Sequence, residues 1–395
     1  MQTLLLVGVG RMGLPYLAAG RALGARVVAV ETAQKAESIA GLVDRLTVTR
    51  GASDELWAEG AFAAVAAERP DGVIAFSEPQ VLAASMVQEE LGVPGPSLRA
   101  SVISRNKALQ RGRFAAAGIA QPEHLVVDDL AGAAEWALAR LPVVVKPLSM
   151  AGSMGVELVP DAAAFAEVAA RRSGEGRLLV ERAIEGPEYS WEALVVGGAV
   201  WFANVTAKET TGPPNFIEVA HRSAADVTDE VRATIDRFGA DVLAAMGMRS
   251  GLVHLEFRLT DAGPVLMEIA VRTPGDHLME LLGLTYGLDW FELVARVALG
   301  RALPTPPTGP IRYAASYLPL ATAGTVTAIH GLEAVREHKT VVEAGLSVAV
   351  DSVVEPARSS NQRVGQVLLA AGDRVELEAA LAEVRRTLVV ETAPR

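Results

Sequence analysis

The chain has 395 residues, and at about 150 residues per domain this length predicts two to three domains. Its composition, 50% hydrophobic and 21% charged, disfavours a fibrous or disordered chain. Its 36 lysines and arginines against 47 aspartates and glutamates give a net charge of −11, which disfavours binding to nucleic acid and to anionic membranes. The absence of cysteine excludes disulfides, thiolate metal sites and cysteine nucleophiles.

The first ten residues lack the basic region of a signal peptide. No apolar run in the chain reaches the roughly 18 residues that a membrane span needs. We therefore expect a cytoplasmic protein that acts on small molecules, with no nucleic-acid or membrane partner. The sequence does not fix the oligomeric state, and a homodimer is one compatible assembly.

Strands and helices alternate in the first hundred residues. Apolar runs predict strands at residues 3–7, 26–30 and 72–76, with a helix at 14–23. This alternation favours a doubly wound parallel sheet. Ser97 follows a Gly/Pro-rich segment and is a predicted N-cap for a helix that continues to about Gly118, so we place the first domain at residues 1–97.

The central and C-terminal parts predict a different arrangement, of antiparallel strands in α+β domains. The predicted central strands lie at residues 143–146, 178–181, 189–196, 200–205, 252–259 and 265–269. The proline-rich residues 304–310 predict a linker, which places a central region at 98–303 and a small α+β domain at 304–395. An amphipathic helix is predicted at residues 376–388.

A glycine cluster follows the first predicted strand. Gly8-Val-Gly-Arg-Met-Gly13, with Glu31 at the end of the next strand, has the spacing of a dinucleotide-binding fingerprint. It keeps open an NAD(P)-dependent oxidoreductase as an alternative function. Glycines also suit the first turn of such a sheet when no phosphate binds there.

Two lysines and a loop of small residues are candidate phosphate ligands. Lys146 ends the apolar run Val143-Val-Val-Lys-Pro147, where a buried ammonium needs an anionic partner. The loop Ser149-Met-Ala-Gly-Ser-Met-Gly155 offers backbone amides to a triphosphate, and Lys107 is a second cation on a predicted helix. The alternatives are a lysine that extends to solvent and a plain hairpin turn.

Two glutamates lie in apolar strands that are joined by a short turn. Glu256 and Glu268 would be costly to bury unpaired, and across a hairpin they are able to share a hard divalent cation with phosphate oxygens. Arg272 adds a planar donor for a phosphoryl or carboxylate group. A buried Glu–Arg ion pair is the alternative interpretation.

These motifs, in this order across residues 97–300 and together with Leu179-Val-Glu-Arg-Ala-Ile-Glu-Gly-Pro-Glu-Tyr-Ser190, resemble the ATP-grasp superfamily. The N-terminal sheet resembles its pre-ATP-grasp domain, and the resemblance implies a nucleotide-closing subdomain at about 120–190. Gly324-Thr-Val, Gly331-Leu-Glu and Val364-Gly-Gln-Val resemble the C-terminal domain of L-amino acid ligases.

The resemblance implies a role for each matching residue. Lys107 and Lys146 would hold the α- and β-phosphates of ATP, and Ser153 lies in the loop that would close over them. Glu181 and the Ala183 backbone would meet the adenine, and Glu188 the ribose hydroxyls. Glu256 and Glu268 would bind Mg²⁺, with Mn²⁺ as a substitute, and Arg272 and Lys146 would be catalytic. One departure is Ala270, which stands where the family commonly has a metal-binding asparagine.

The substrate residues are fixed less closely by the motifs. Residues 208–222 form a long polar segment that predicts a lid loop. By resemblance, Glu78 would face a substrate ammonium, although it is equally suited to capping the following helix. The further substrate candidates, with structural roles as the alternative for each histidine, are His221, His254, Gly275, Asp276 and His277.

The function implied is an ATP-dependent ligase that forms an amide between a small carboxylic or amino acid and an amine through an acyl phosphate, releasing ADP and phosphate. Besides the oxidoreductase, two alternatives stay open. One is another ATP-grasp enzyme, a carboxylase or a purine-type ligase. The other is a nucleotide-binding regulator without catalysis, which Ala270 would favour.

Overall fold

The computed structural model describes residues 1–150 and 152–395. Ala151, inside the predicted small-residue loop, lies outside the described residues. The described chain combines a parallel N-terminal sheet with antiparallel sheets in the central and C-terminal parts, which confirms the predicted α/β and α+β classes.

The N-terminal part folds as the predicted parallel sheet, in the order β3-β2-β1-β4. Its elements are β1 (Thr3–Val7), α1 (Leu14–Ala22), β2 (Arg26–Thr32), α2 (Ala33–Ala40), β3 (Arg45–Thr49), α3 (Asp54–Ala67), β4 (Gly72–Ile74) and α4 (Val81–Leu91). Strand β3 was not predicted, because only two of the five residues in its sequence Arg-Leu-Thr-Val-Thr are apolar; it forms the edge of the sheet.

The two faces of this sheet bury alternate residues of β1. Leu4 and Leu6 pack with Tyr16 of α1, whereas Leu5 and Val7 pack with Trp57 of α3. Side chains of a strand alternate between faces, so a fully apolar strand indicates that both faces are covered. The sheet is therefore a buried layer between helices.

The central region starts with two helices where one was predicted. Ser97 caps α5 (Leu98–Ser104) by accepting from the Ala100 amide, as predicted, but the chain then breaks before α6 (Lys107–Ala116). Asn106 has extended backbone angles and its side chain accepts from the amides of Ala108 and Leu109. A second N-cap therefore starts a new helix at Lys107 and gives that lysine a fixed position.

A four-stranded antiparallel sheet follows, in the order β5-β8-β6-β7. Its elements are β5 (His124–Val127), α7 (Ala134–Leu138), β6 (Val143–Pro147), β7 (Glu157–Val159), α8 (Ala162–Arg171) and β8 (Leu178–Arg182). Phe165 of α8 packs on Val143 and Val145 of β6. This sheet lies within the interval predicted for the closing subdomain.

The largest sheet has eight strands, in the order β13-β12-β9-β10-β11-β14-β18-β16. Three of them, β14 (Tyr313–Tyr317), β16 (Val341–Leu346) and β18 (Gly365–Ala371), come from the C-terminal part. The central region contributes β9 (Glu188–Val196), β10 (Ala199–Thr210), β11 (Glu218–Arg222), α9 (Asp229–Met246), β12 (Gly251–Thr260), β13 (Gly263–Ala270), α10 (Leu278–Tyr286) and α11 (Trp290–Ala298). Helix α9 covers one face of β9, where Gly239 lies against the Trp191 ring.

The predicted lid loop at 208–222 is wrong for most of its length. Its first residues end β10 and its last five form β11, which pairs with β10 and β14. Polar composition suggested a solvent-exposed loop, but Lys208, Glu218 and His221 are buried. These polar side chains are buried because they face charged partners rather than solvent.

The C-terminal part extends the eight-stranded sheet and adds a three-stranded one, β17-β15-β19. Its elements are β14 (Tyr313–Tyr317), β15 (Gly324–His330), α12 (Leu332–Arg336), β16 (Val341–Leu346), β17 (Val353–Val354), β18 (Gly365–Ala371), α13 (Arg374–Thr387) and β19 (Val389–Ala393). Residues 304–310 have no helix or strand, and the sheet continues beyond them through β11 and β14.

Among the described residues, none of the helices combines the length and the apolar composition that crossing a membrane requires.

Candidate active site

A cavity of about 310 Å³ lies between the four-stranded sheet and the eight-stranded sheet. It collects the side chains that the sequence assigned to phosphates, adenine, ribose and metal. They are Lys107, Lys146, Ser153, Glu181, Ala183, Glu188, Glu256 and Glu268. Three of the five lysines in the chain, Lys107, Lys146 and Lys208, line it. Residues from distant parts of this acidic chain thus gather cationic groups in one place.

Lys146 and Glu181 form a buried ion pair on neighbouring strands. Lys146 Nζ lies 2.6 Å from Glu181 Oε2, and the other carboxylate oxygen contacts the Arg111 guanidinium. Burial lowers the pKa of Lys146, an effect that Glu181 opposes. Burial favours a neutral Glu181, but Lys146 and Arg111 outweigh it and lower its pKa to about 2. The acid is therefore ionised at neutral pH.

Arg111 does not line the cavity but contacts Glu181, which does, and the sequence did not predict this position. It is 1% exposed and also donates to the Met267 carbonyl. A signal was present, because Arg111 is four residues after Lys107 and such residues lie on the same face of a helix.

Lys107 is held at the first turn of α6. Its ammonium donates to the Met150 carbonyl at 2.7 Å and to Glu268 Oε1 at 2.9 Å, and the residue is 5% exposed. A helical lysine is ordinarily solvated, so this burial with an acidic partner marks a cation held in a defined position.

The loop of small residues bends through left-handed backbone angles. Gly152, Ser153 and Gly155 have φ values of 65°, 57° and 70°. The Ser153 hydroxyl donates to the Phe216 carbonyl at 3.2 Å. The Gly152 carbonyl accepts from the Ser360 amide at 3.1 Å, so the C-terminal part contacts this loop.

Glu256 and Glu268 are direct partners across β12 and β13. Lys208 Nζ lies 2.7 Å from Glu256, 3.2 Å from Glu188 and 3.4 Å from Glu218. Burial lowers the Lys208 pKa, but the three carboxylates outweigh burial and raise it well above the usual value. From the sequence alone, Lys208 is only the first residue of a predicted loop, and its position among three carboxylates was not predicted.

Glu256 and Glu268 offer carboxylate oxygens, which are suitable ligands for Mg²⁺. Magnesium in nucleotide enzymes is held by one or two carboxylates, with phosphate oxygens and water completing the shell. Paired strand glutamates suit that set, although no group of three acidic, histidine or cysteine side chains arranged for a metal ion occurs in the described part of the chain. The metal assignment stays a prediction that depends on phosphate as co-ligand.

His254 lies directly across the strand pair from Ala270. Its Nδ1 is 3.0 Å from Glu192 Oε1 and its Nε2 is 3.1 Å from Glu256 Oε1. Burial lowers the His254 pKa, but hydrogen bonds to the two carboxylates outweigh it and raise the pKa to about 9. Ala270, which stands where the family commonly has an asparagine, is thus an apolar residue that faces His254 on the neighbouring strand.

At the other end of the cavity, Arg272 pairs with Glu78. Arg272 Nε donates to Glu78 Oε2 at 2.6 Å, and Arg105 Nε lies 3.4 Å from the second oxygen. Glu78 opens a short 3₁₀ turn, Glu78–Gln80, in which Ser77 holds the N-cap position. The Glu78 carboxylate therefore contacts two arginines, and of these three residues only Arg272 lines the cavity, so Glu78 does not face it directly.

The remaining substrate candidates divide into two sets. His221, Gly275 and Asp276 line the cavity, and His221 Nε2 lies 3.1 Å from Asp276 Oδ2. His277 does not line it and contacts Gln366 and Glu280 instead. Arg363, which the sequence analysis missed, reaches the same place from the C-terminal part and pairs with Asp276.

The first glycine cluster has a different use in the structure. Glu31 is 2% exposed, and its Oε2 accepts from the amides of Val9 at 2.9 Å and Gly10 at 3.0 Å. These are the amides that a dinucleotide phosphate would need. A carboxylate of the chain itself already binds them, which argues against a nicotinamide site here.

Two protein families match separate parts of the chain. Residues 139–280 match the ATP-grasp domain, and residues 316–393 match the L-amino acid ligase C-terminal domain 2.

Curated relatives are similar to parts of the chain. An uncharacterised protein from Sinorhizobium fredii is 30% identical over 240 residues, 58% of this chain and 49% of that protein. Carnosine synthase 1 from Homo sapiens is 30% identical over 184 residues, 42% of this chain and 22% of that protein. The chain therefore spans half or less of the length of these curated relatives.

Among solved structures, an L-amino acid ligase from Bacillus licheniformis superposes with a TM-score of 0.84. The alignment covers 100% of this chain and 99% of that one, at 23% identity. This likeness establishes a shared fold over the whole described chain.

Proposed function

The chain carries an ATP-grasp domain followed by an L-amino acid ligase C-terminal domain, and on that basis we propose that it is an ATP-dependent carboxylate–amine ligase. It would join a small carboxylic or amino acid to an amine and release ADP and phosphate. The observation that carries the proposal is the single cavity in which Lys107, Lys146, Glu256 and Glu268 meet.

The nucleotide would occupy the part of the cavity between the two sheets. Lys107 and Lys146 would bind phosphates beneath the Ser153 loop, the Ala183 backbone and Glu181 would meet the adenine, and Glu188 would meet the ribose. Fixed ammonium groups favour a triphosphate because they require no reorganisation when it binds. Lys208, held by three carboxylates, adds a further cation near the metal glutamates.

The carboxylate must first be activated, because an amine that attacked it directly would have to expel oxide, which is a poor leaving group. A carboxylate oxygen attacks the γ-phosphorus of ATP, the bond to the β–γ bridging oxygen breaks, and ADP leaves. The substrate amine then attacks the acyl carbon, phosphate departs with the carbon–oxygen electron pair, and the amine nitrogen loses a proton. Phosphoryl transfer needs mainly positioning and charge neutralisation, so no nucleophile of the chain is required.

The chain's own residues would supply that neutralisation. Lys146 and Arg272 would face the transferred phosphoryl group, and Glu256 and Glu268 would hold Mg²⁺, or Mn²⁺ in its place. Magnesium supplies positive charge to the β- and γ-phosphate oxygens when bound. The acyl phosphate reacts with water, so a site between two sheets that excludes water favours the amide product.

The substrates would bind at the opposite end of the cavity. His221, Arg272, Gly275 and Asp276 line the cavity and would receive the acid and the amine. Glu78, through its contact with Arg272, and His277 would support them from outside the lining. The match of residues 316–393 to an amino acid ligase domain favours amino acids over the substrates of carboxylases or purine-type ligases. We also propose that the protein is cytoplasmic. A homodimer belongs to the same proposal, and light scattering would measure that oligomeric state.

A nucleotide-binding regulator is the second candidate, because Ala270 removes an amide that the family commonly uses for metal. It predicts ATP binding without ADP release for any pair of substrates.

The experiment that tests the proposal is a screen of amino acid pairs for ADP release, with mass detection of the amide. Lys146→Ala provides the inactive control. A dipeptide-like product that needs ATP and disappears in the control is expected. ATP binding without product across the whole screen would favour the regulator instead.

A further inference from the structure

Asp276 and His277 adopt a backbone conformation that side-chain-bearing residues rarely adopt. Their φ values are 57° and 59°, and neither residue is a glycine. Each left-handed residue of this kind costs about 1 kcal/mol or more, and two in succession persist only when contacts hold them. The turn between β13 and α10 must therefore be held in place by its surroundings.

Arg363 provides the strongest of these contacts. Its Nη1 donates to Asp276 Oδ2 at 2.8 Å and its Nη2 donates to Oδ1 at 2.5 Å, while its Nε donates to the Ser360 carbonyl at 2.8 Å. A two-point arginine–carboxylate contact fixes the plane of the carboxylate as well as its position. The short 3₁₀ turn Ser360–Gln362 fixes the arginine in turn.

The fixed carboxylate then determines the state of His221. Burial raises the Asp276 pKa, but hydrogen bonds from His221 and Arg363 outweigh burial and lower it, so Asp276 is ionised and only accepts hydrogen bonds. His221 Nε2, 3.1 Å away, must therefore carry the hydrogen. The other ring nitrogen, Nδ1, is buried and has no hydrogen-bond partner in the part of the chain that the structure describes.

We propose that Arg363 is a positioning residue of the active site, which fixes Asp276 and thereby the ring orientation and the Nε2–H tautomer of His221 at the substrate end of the cavity. His221 and Asp276 line that cavity, as does Arg363. Arg363 lies within residues 316–393, so the C-terminal domain completes the site rather than only covering it. The expected effect on the rate of ligation rests on the ligase function proposed above. The expected effect on the ring orientation and tautomer of His221 does not.

Arg385 offers a matched control. It also comes from the C-terminal part, and it makes a two-point contact of 2.8 and 2.9 Å with Glu209 of β10. Neither Arg385 nor Glu209 lines the cavity. Arg363→Gln and Arg385→Gln therefore each remove one such contact between the same two parts of the chain.

The test compares Arg363→Gln, Arg363→Lys and Arg385→Gln in the full-length protein. The imidazole ¹⁵N resonances of His221, assigned with His221→Gln, report its tautomer and motion without any substrate. In the wild type we expect the ¹⁵N resonances of a single Nε2-protonated tautomer of His221. In Arg363→Gln we expect resonances averaged between the two tautomers. Arg363→Lys, which keeps the charge but loses the planar two-point contact, should lie between it and the wild type, and Arg385→Gln should match the wild type.

Kinetics supply a second readout. We expect Arg363→Gln to lower kcat/KM for the amine by about tenfold to hundredfold, as expected when a reacting group is misplaced, with the Kd for ATP changed less than twofold. Partial recovery in Arg363→Lys is expected. If His221 resonances in Arg363→Gln and Arg363→Lys match those of Arg385→Gln, the positioning role is wrong. If the wild type makes no amide while the resonances shift as expected, the ligase function fails and the positioning role stands.

Discussion

Lys146 Nζ and Glu181 Oε2 lie 2.6 Å apart on adjacent strands, and both side chains are less than a tenth exposed. Removing two charges from water costs more than their attraction returns in many proteins. An apolar pair would serve the core of the four-stranded sheet at lower cost. The cost of burying this pair is consistent with the proposed role of Lys146 as a ligand for phosphate.

The first prediction concerns Lys146→Met, which keeps an unbranched side chain one atom shorter than lysine and removes the ammonium charge. We expect the Kd for ATP to rise about 10- to 100-fold, corresponding to the loss of one hydrogen bond to a charged phosphate, and ligation to be lost. Glu181 retains the Arg111 contact, so the free energy of unfolding should fall by only about 1 to 2 kcal/mol. The thermal midpoint should then fall by a few degrees. Isothermal titration and calorimetry measure the two effects.

Lys339→Met is the control for this variant, because Lys339 is 77% exposed and pairs with Glu376 on the surface. Exposed pairs contribute little to stability, so this change should leave ATP binding and the midpoint unchanged. Ligation near the wild-type rate in Lys146→Met would contradict the role of Lys146.

The second prediction concerns pH. Burial opposes ionisation of Glu181, but Lys146 and Arg111 lower its pKa to about 2 from the usual 4.5. A lowered pKa in the folded state stabilises the fold above pH 4.5, and that stabilisation is lost as the pH falls from 4.5 towards 2. The contribution is roughly 3 kcal/mol at neutral pH.

Urea unfolding of the wild type and of Glu181→Gln at pH 6, 5, 4 and 3 measures this contribution. The glutamine variant should be less stable at pH 6, and the difference between the two proteins should shrink as the pH falls below 4.5. A difference that stays constant between pH 6 and pH 3 would show that Glu181 is not the group responsible.

The sequence predicted the strands and the cavity residues that local patterns encode. Apolar runs located β1 and β6, and Glu256 and Glu268 stood out because acids are rare inside apolar strands. Gly13 shows the limit of such reasoning. Its spacing matched a cofactor fingerprint, yet a Cβ there would lie 2.4 Å from the Val9 carbonyl, so close packing already requires a glycine.

Residues whose roles depend on distant partners were missed. Lys208 was placed in a loop, since its importance comes from Glu188, Glu218 and Glu256, which approach it only in the folded sheet. Arg363 lies 87 residues from Asp276, and no local pattern connects the two. The break between α5 and α6 was likewise not predicted, because a single N-cap residue, Asn106, interrupts a continuous helical pattern.

The third prediction concerns Glu31→Ala. Glu31 accepts from the amides of Val9, Gly10 and Thr32, and its removal leaves buried donors without an acceptor. We expect a loss of about 2 to 3 kcal/mol in the free energy of unfolding, measured in urea, with the Kd for ATP unchanged. Glu37→Ala, on the exposed side of α2, should change neither quantity. Quenching of NADH fluorescence by the wild type would contradict the structural role of Glu31.

The last prediction concerns the metal. Glu268→Gln keeps an oxygen for the Lys107 ammonium, 2.9 Å from the carboxylate, and removes one anionic ligand. Ala270→Asn adds the amide oxygen that the family commonly has, at a position that is 6% exposed and lines the cavity. We expect Mn²⁺ binding in the presence of a non-hydrolysable ATP analogue, followed by electron paramagnetic resonance, to weaken about tenfold in Glu268→Gln and to tighten severalfold in Ala270→Asn.

Glu157→Gln is the control for these two variants, because Glu157 pairs with Arg171 away from the cavity and should leave Mn²⁺ affinity unchanged. Wild-type Mn²⁺ affinity in Glu268→Gln would exclude Glu268 as a metal ligand. Unchanged affinity in Ala270→Asn, combined with weakening in Glu268→Gln, would instead mean that the wild type loses nothing by its alanine. The metal would then be held by its carboxylates and the nucleotide phosphates alone, and Ala270 would no longer support a regulator over a ligase.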